Sequence, residues 1–552
     1  MALNTVLGLL PSNAVTFFVC GAGLAGCYFA FRVLRGPKTI VRTKGHGLPL
    51  PPGPKPLPLV GNTFHMPLQD SWETFTKWGR EYGEVVHVSV FNQSIILVNS
   101  AKAVNELLGE RSAIYSDRPR LPLLGELTGF DWVFALMPYG DLWRTHRRVF
   151  SSKFGPSTVH MFNPAFDYAS TRLLELLLDR PNEFEDHVRL HIAQQIMMSV
   201  YGIVPKTRND EFVVLAERAL TAISELARPG AFLADTFPIF KKIPSWVPGA
   251  FSQKMAEQLQ SDVQGMRDSP FLESKKKMVT DTLPMPCFIS ELLEEYERER
   301  NEKSDPEIEN TIRDLLKNLR TKPSQIKLAA LAGSDTCVAA LSGFINAMTL
   351  YPEVQKRAQA ELDAVVGTSR LPTLDDKKDL PYVTAVMKEL LRWHVSAPQS
   401  LPHMLKEDDE YDGYYLPKGA IVLGNSWGIL HDPALYPDPM EFKPERYFDA
   451  EDRLDFSAND PADYAFGYGR RACPANYYVE SALHLAIARL LATFNFGLAK
   501  DENGVPIPVE HRQTPGVVSH PVSYKCSITP RSEQAAALVR QANINMSQAF
   551  KI

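Results

Sequence analysis

The 552-residue chain carries only six cysteines, and two of them, Cys20 and Cys27, fall in an apolar N-terminal run. That is no disulfide framework of a secreted domain, so a reducing, cytosolic setting is expected for the bulk of the chain. No excess of one charge exists either. The net charge is -5 at neutral pH, which gives no reason to expect nucleic acid as a partner. Neither an internal repeat nor a Ser/Gly-rich linker divides the sequence, so one large domain is expected in spite of the length. No basic side chain precedes the apolar run, which argues against a cleaved signal peptide. A glycine-rich nucleotide fingerprint after a strand is also missing.

The apolar run itself, Ala14 to Phe31, holds 18 residues without a charge. As a helix it would cover about 27 Å, near the thickness of a bilayer core. Arg32, Arg35, Lys38, Arg42 and Lys44 follow it, and by the positive-inside rule they keep the rest of the chain in the cytosol. The prolines between Leu48 and Pro58 then predict a stiff, extended connector that orients the domain against the membrane. The expected organisation is a membrane anchor over 1–35, with its span at about 14–31, and a basic, proline-rich hinge over 36–61. A catalytic domain over 62–531 and a C-terminal tail over 532–552 complete it. Val85, Val86, Val88, Val90, Ile95, Ile96 and Val98 predict a hairpin between Gly83 and Asn99, and Ala420 to Leu423 a further strand.

The chemistry concentrates between Phe466 and Ala475, just before a helical run that begins near Asn476. A lone cysteine is more often a small buried hydrophobe, but the neighbours of Cys473 point elsewhere. Backbone N–H groups and the positive end of the helix would stabilise its thiolate, the form that binds metal. Gly469 can take a positive φ that folds the backbone close over a flat ligand. Arg471 offers a fork of donors suited to a carboxylate, and Phe466 can shield the sulfur from water. A thiolate axial ligand pushes electron density onto iron and favours O–O cleavage.

The run resembles the heme-binding loop of the cytochrome P450 family, Phe-x-x-Gly-x-Arg-x-Cys-x-Gly, with Ala475 in place of the last glycine. That resemblance implies a mainly α fold with a small β lobe, preceded by one N-terminal transmembrane helix. It makes Cys473 the protein ligand to the iron of heme b. In Trp143-Arg144-Thr145-His146-Arg147-Arg148 it assigns Trp143 and Arg147, four apart on one helix face, to a heme propionate. His403 matches the position that bonds the second propionate. A solvated basic helix and a plain surface or core histidine are the other readings of these residues. Ala332-Gly333-Ser334-Asp335-Thr336 matches the run that kinks the long helix above the iron, leaving room for O2, with Asp335 and Thr336 delivering protons. Serine and threonine within a helix otherwise bond back to the preceding turn. Pro323 leaves the start of that helix open. Glu389 and Arg392, with Arg446 downstream, match a buried structural network.

The implied activity is insertion of one oxygen atom from O2 into a lipophilic small molecule. Electrons would come from NADPH through a separate NADPH-cytochrome reductase docked on a basic face that includes Arg144 and Arg148. The catalytic domain would face the cytosol from a single-pass anchor in the endoplasmic reticulum membrane. Overall similarity is to fungal members that oxidise terpenoid, indole or polyketide intermediates, or xenobiotics. A heme-thiolate isomerase or dehydratase, or a non-enzymatic heme protein, are the alternatives; isomerases tend to lose the acid-alcohol pair kept here by Asp335 and Thr336. The apolar segments Leu121 to Met137 and Pro229 to Phe251 roof the cavity in the family, although core packing would give the same composition. The charge-rich stretch from Lys275 to Lys317 reads as solvated helix and surface loop.

Overall fold

The computed structural model describes residues 47–550 apart from 68, 92, 227–244, 247–250, 303–327 and 456–458. The expected span at 14–31 and Pro323 lie outside the described residues. Among those described, no helix is long and apolar enough to cross a membrane.

A hairpin cannot bury a face alone, and the small sheet shows how this one is completed. Its strands are β1 (Val85–Val90), β2 (Gln93–Val98), β3 (His403–Met404) and, after the hairpin β4 (Asp409–Tyr411) and β5 (Tyr414–Leu416), β6 (Ile421–Gly424). β1 and β2 pair antiparallel with Val85 opposite Val98, as the alternation of valines predicts. After the main helical part the chain returns, and β6 joins β2 in parallel with Ile96 opposite Val422. β3 then flanks β6, giving the order β1-β2-β6-β3. The proline-rich connector lies along this lobe. His87 N donates to Pro52 O at 3.0 Å, and a Cβ on Gly53 would stand 2.1 Å from His87 O, so only glycine fits there.

The longer helices are α1 (Ser71–Tyr82), α2 (Asp141–Phe154), α3 (Asn163–Asp179), α4 (Phe184–Tyr201), α5 (Glu211–Leu226), α6 (Phe251–Val279) and α7 (Phe288–Glu302). They continue with α8 (Leu328–Leu350), α9 (Pro352–Val365), α10 (Pro381–Trp393), α11 (Asn476–Thr493) and α12 (Glu533–Phe550). Between the last two comes the antiparallel pair β7 (Phe494–Leu498) and β8 (Cys526–Pro530). The fold is thus mainly helical with a small sheet region, and α4 is buried on nearly every face because apolar residues surround it. It packs between α3 and α8. Gly202 ends it with φ +63, where a Cβ would meet Leu283 at 2.5 Å. Pro352 and Pro381 open α9 and α10, where a missing N–H costs nothing. α11 begins at Asn476, with Leu483, Ile487 and Leu490 buried and Val479 half-buried.

One stretch differs from expectation. Between Lys275 and Lys317, the apolar positions Cys287, Phe288, Ile289 and Leu292 are core, and Phe288 stacks on Phe150 of α2 at 5.7 Å. Charge marks only the outer face of α7, where Glu295 pairs with Lys153 at 3.2 Å. The C-terminal tail is helix α12, seated on α3. Val539 is fully buried, Asn543 donates to Glu175 at 2.7 Å and Phe550 packs on Tyr168 at 5.4 Å.

Candidate active site

Cys473 stands three residues before α11, in a loop closed by its own N–H donating to Phe466 O at 2.7 Å. Phe466 and Cys473 are both half-buried. The Ala475 N–H and the Arg147 guanidinium pull the thiol pKa down, as the helix-end argument expects, but burial outweighs both and the net shift is upward. The loop alone therefore does not hold a thiolate; a coordinated cation is what deprotonates such a thiol. Gly469 has φ +51, yet what approaches it is the Leu108 carbonyl, 2.1 Å from the position of a Cβ. Its lack of a side chain seats the loop against the Asn105–Glu110 turn. Ala475 has φ -108, a backbone any residue adopts, so the departure from glycine carries no strain.

Around this loop the structure gathers positive charge that no described carboxylate meets in an ion pair. On α2, Trp143 is buried and Arg147 half-buried, and Arg147 Nη1 donates to Ala472 O. Arg471 donates to Ser116 O at 2.8 Å and Met137 O at 2.6 Å, and its guanidinium lies 4.5 Å from the Trp143 ring. Arg118, which the sequence did not single out, is buried and donates to the carbonyls of Ala135, Leu401 and Pro402. Burial, with the neighbouring Arg471 charge, pulls the Arg118 guanidinium down to about 9, and burial pulls Arg471 down to about 10. No described carboxylate forms an ion pair with Arg118, Arg147 or Arg471; Asp117, the nearest acid in effect, accepts at Oδ1 from the backbone N–H groups of Arg118 and Tyr139. Trp143 Nε1 and Arg471 Nη1 are buried donors without a partner among the described residues. Uncompensated buried cations and idle donors are costly, so a group with two carboxylates fits this cradle. Heme b is such a group, and Cys473 stands beside the cradle.

His403 is buried on β3, and its Nδ1 lies 2.8 Å from Tyr115 O, so Nδ1 carries the proton and donates it. Burial and the Arg118 and Arg471 charges hold the ring well below its ordinary pKa, hence neutral. Nε2 is then an acceptor, and the adjacent Arg118 brings guanidinium donors suited to a carboxylate. Arg118 was not legible because its partners lie far along the chain, and an arginine beside a proline carries no signal of its own.

Across from the loop runs α8. The Cys337 thiol is pushed up to about 12, first by burial and then by the neighbouring Cys473. Thr336 is half-buried, with its hydroxyl bonded to the Cys337 thiol. Asp335 Oδ1 meets His520 Nε2 at 2.9 Å, a contact that the sequence did not announce. Ala332 and Gly333 lie on the first turns of α8. Phe134, from the expected roof, packs on Trp143 at 5.3 Å and on Phe150 at 5.5 Å, so at this residue the core-packing alternative holds. Phe232, Phe237 and Phe240 lie outside the described residues, and Trp246 is exposed.

Beneath the loop, Arg392 makes a two-point bond to Glu389, 2.8 Å at each oxygen, and Arg446 Nε reaches the same carboxylate at 3.0 Å. Both Glu389 and Arg392 are fully buried. Tyr447, where the family pattern has phenylalanine, adds a hydroxyl donated to Glu389 at 3.1 Å.

A family model for cytochrome P450 matches residues 51–528. The chain is 38% identical over 500 residues to cytochrome P450 monooxygenase ple1 of Rhodocybe pseudopiperita, covering 90% of this chain and 93% of that protein. Over 550 residues it is 36% identical to cytochrome P450 monooxygenase COX2 of Coprinopsis cinerea, covering 99% and 100%. It is also 35% identical over 515 residues to the tryptamine 4-monooxygenase of Psilocybe cyanescens, covering 93% and 97%.

Proposed function

The chain belongs to the cytochrome P450 family, and within it we propose a monooxygenase that oxidises a lipophilic small molecule of secondary metabolism. As a member of this family it is an oxidoreductase that uses heme and O2 with electrons from NADPH through a reductase. The relatives named above are fungal monooxygenases, and the tryptamine 4-monooxygenase among them supports an indole-type substrate.

Cys473 is the one protein ligand to iron in this reading. Arg147, Trp143 and Arg471 hold one carboxylate side of heme and Arg118 the other, while Phe466 limits water at the sulfur. Heme bound there would supply O2 activation, its iron receiving from the Cys473 thiolate the electron density that favours O–O cleavage. Thr336 Oγ1 and the Asp335 carboxylate would hold and pass protons. The observation that carries the reading is the cluster of buried Arg118 with half-buried Arg147 and Arg471 beside Cys473, with no described carboxylate paired to it. Replacing Cys473 by histidine is expected to abolish the strongly red-shifted Soret band of the reduced carbon monoxide complex; a retained band removes Cys473 as the ligand.

We place the anchor at 14–31 in the endoplasmic reticulum membrane, with residues 62–531 as the catalytic domain in the cytosol. The charge-free run and the basic residues after it support this. The reductase docks on the exposed face bearing Arg144 and Arg148; Asp141 pairs with Arg144 and leaves Arg148 as the stronger point. Reversing both charges is expected to slow reduction by the reductase and flatten its dependence on salt. An isolated chain that turned over with NADPH alone would remove the partner.

A further inference from the structure

The bond between His520 and Asp335 joins two parts of the chain that nothing in the sequence connects. His520 Nε2 stands 2.9 Å from Asp335 Oδ1, and the two side chains keep only 19% and 15% of their surface exposed. His520 is not on a free loop. Its N–H donates to Thr514 Oγ1 at 3.0 Å, and its carbonyl accepts from Thr514 N at 2.7 Å. Ser519 Oγ donates to Thr514 O at 2.8 Å, while the Ser519 N–H donates to Ser396 O at 2.9 Å. Ser519 is fully buried, and Gln513 and Pro521 bridge at the base of the turn. This closed turn fixes where the imidazole can stand. The other titratable rings nearby, His394 and His511, meet each other at 3.2 Å and are both driven neutral by burial.

We propose that His520 is the positioning residue for Asp335. This rests on the reading of Asp335 and Thr336 as the proton-delivering pair. An aspartate on a helix has several staggered rotamers of similar energy, and only some of them keep its carboxylate beside the next residue's hydroxyl. A hydrogen bond from a turn anchored elsewhere in the fold selects one. His520 thereby sets the place from which Asp335 passes protons to Thr336, and its N–H faces the carboxylate as donor. Charge assistance makes such a bond about twice as strong as one between neutral groups.

The test uses the full chain with heme and its reductase, and measures product, peroxide and NADPH in one reaction for His520→Phe, His520→Gln, Asp335→Asn and Thr336→Ala. His520→Phe is expected to lower product per NADPH about tenfold, within the about hundredfold that a 1 Å misplacement can cost. His520→Gln retains an N–H donor and is expected to recover most of the ratio. A second readout needs no turnover: in the diamagnetic ferrous carbon monoxide form, the His520 imidazole ¹⁵N resonance is expected to move in Asp335→Asn while those of His394 and His511 stay. This measurement decides the matter if His520→Phe does not incorporate heme. Wild-type coupling in His520→Phe with impaired coupling in Asp335→Asn overturns the role of His520 and leaves the acid-alcohol pair standing. An unmoved His520 resonance overturns the contact. Wild-type coupling in both Asp335→Asn and Thr336→Ala overturns the underlying pair, and the positioning role with it.

Discussion

Arg118 and His403 share one small region of the cradle and differ in what they can offer it. Arg118 brings unpaired positive charge, whereas the neutral His403 ring gives its only proton to the Tyr115 carbonyl. Arg118→Ala is therefore expected to lose heme on dilution, and His403→Phe to retain it; absorbance of the purified proteins at equal concentration compares the two. Equal heme loss would return the carboxylate to His403. At Thr336 the outcome is read in coupling. Thr336→Ala is expected to keep heme content and substrate binding while product per NADPH falls and peroxide rises, because a positioned proton donor contributes about 10² to 10⁴ in rate. If the hydroxyl serves only its Cys337 partner, coupling stays at the wild-type level. Cys473, Trp143 and Arg147 were legible because spacing along one loop or one helix face brings them together. Arg118 was not, since carbonyls of Ala135, Leu401 and Pro402 hold it.

At the level of elements, α10 is tied to the segment before the Cys473 loop by one carboxylate with four donors. Glu389 accepts from Arg392, Arg446, Tyr447 and the Lys443 N–H. Removing a charged partner from a buried pair costs about 3 to 5 kcal/mol, whereas one hydrogen bond from a neutral donor to a charged group contributes about 1.5 to 3 kcal/mol. Arg392→Ala is thus expected to lower stability more than Tyr447→Phe, which leaves both guanidinium groups in place. Denaturant midpoints of the heme-loaded proteins measure the difference, and equal losses would mean that the network is not shielded from water. The pairing of Glu389 with Arg392 follows from i, i+3 spacing, and the Pro-Glu-Arg motif pointed to Arg446. Tyr447 became a partner only through the fold.

Over the whole molecule, burial of neutral histidines makes the fold sensitive to acid. Burial pushes His191 down to about 4, and His431 and His511 down to about 3, from an ordinary 6.5. Below about pH 6.5 the unfolded chain takes up these protons before the folded one does, so stability present above that value is lost as pH falls toward 4 and 3. The denaturant midpoint is expected to fall steadily across that window, and less steeply in His191→Gln; a flat profile would show hydrated rings. The sequence by itself determined what depends on neighbours along the chain. It specified helix α11 behind Cys473, the β1-β2 hairpin, the shared face of Trp143 and Arg147, and through its motifs the family. Tertiary structure alone decided what depends on segments meeting from far apart. It set Arg118 among backbone carbonyls, turned the proton of His403 toward Tyr115, buried apolar positions within a charge-rich stretch and brought His520 to Asp335. Periodicity and motif report interactions within a few residues, whereas desolvation and hydrogen-bond partners exist only once distant segments have excluded water together.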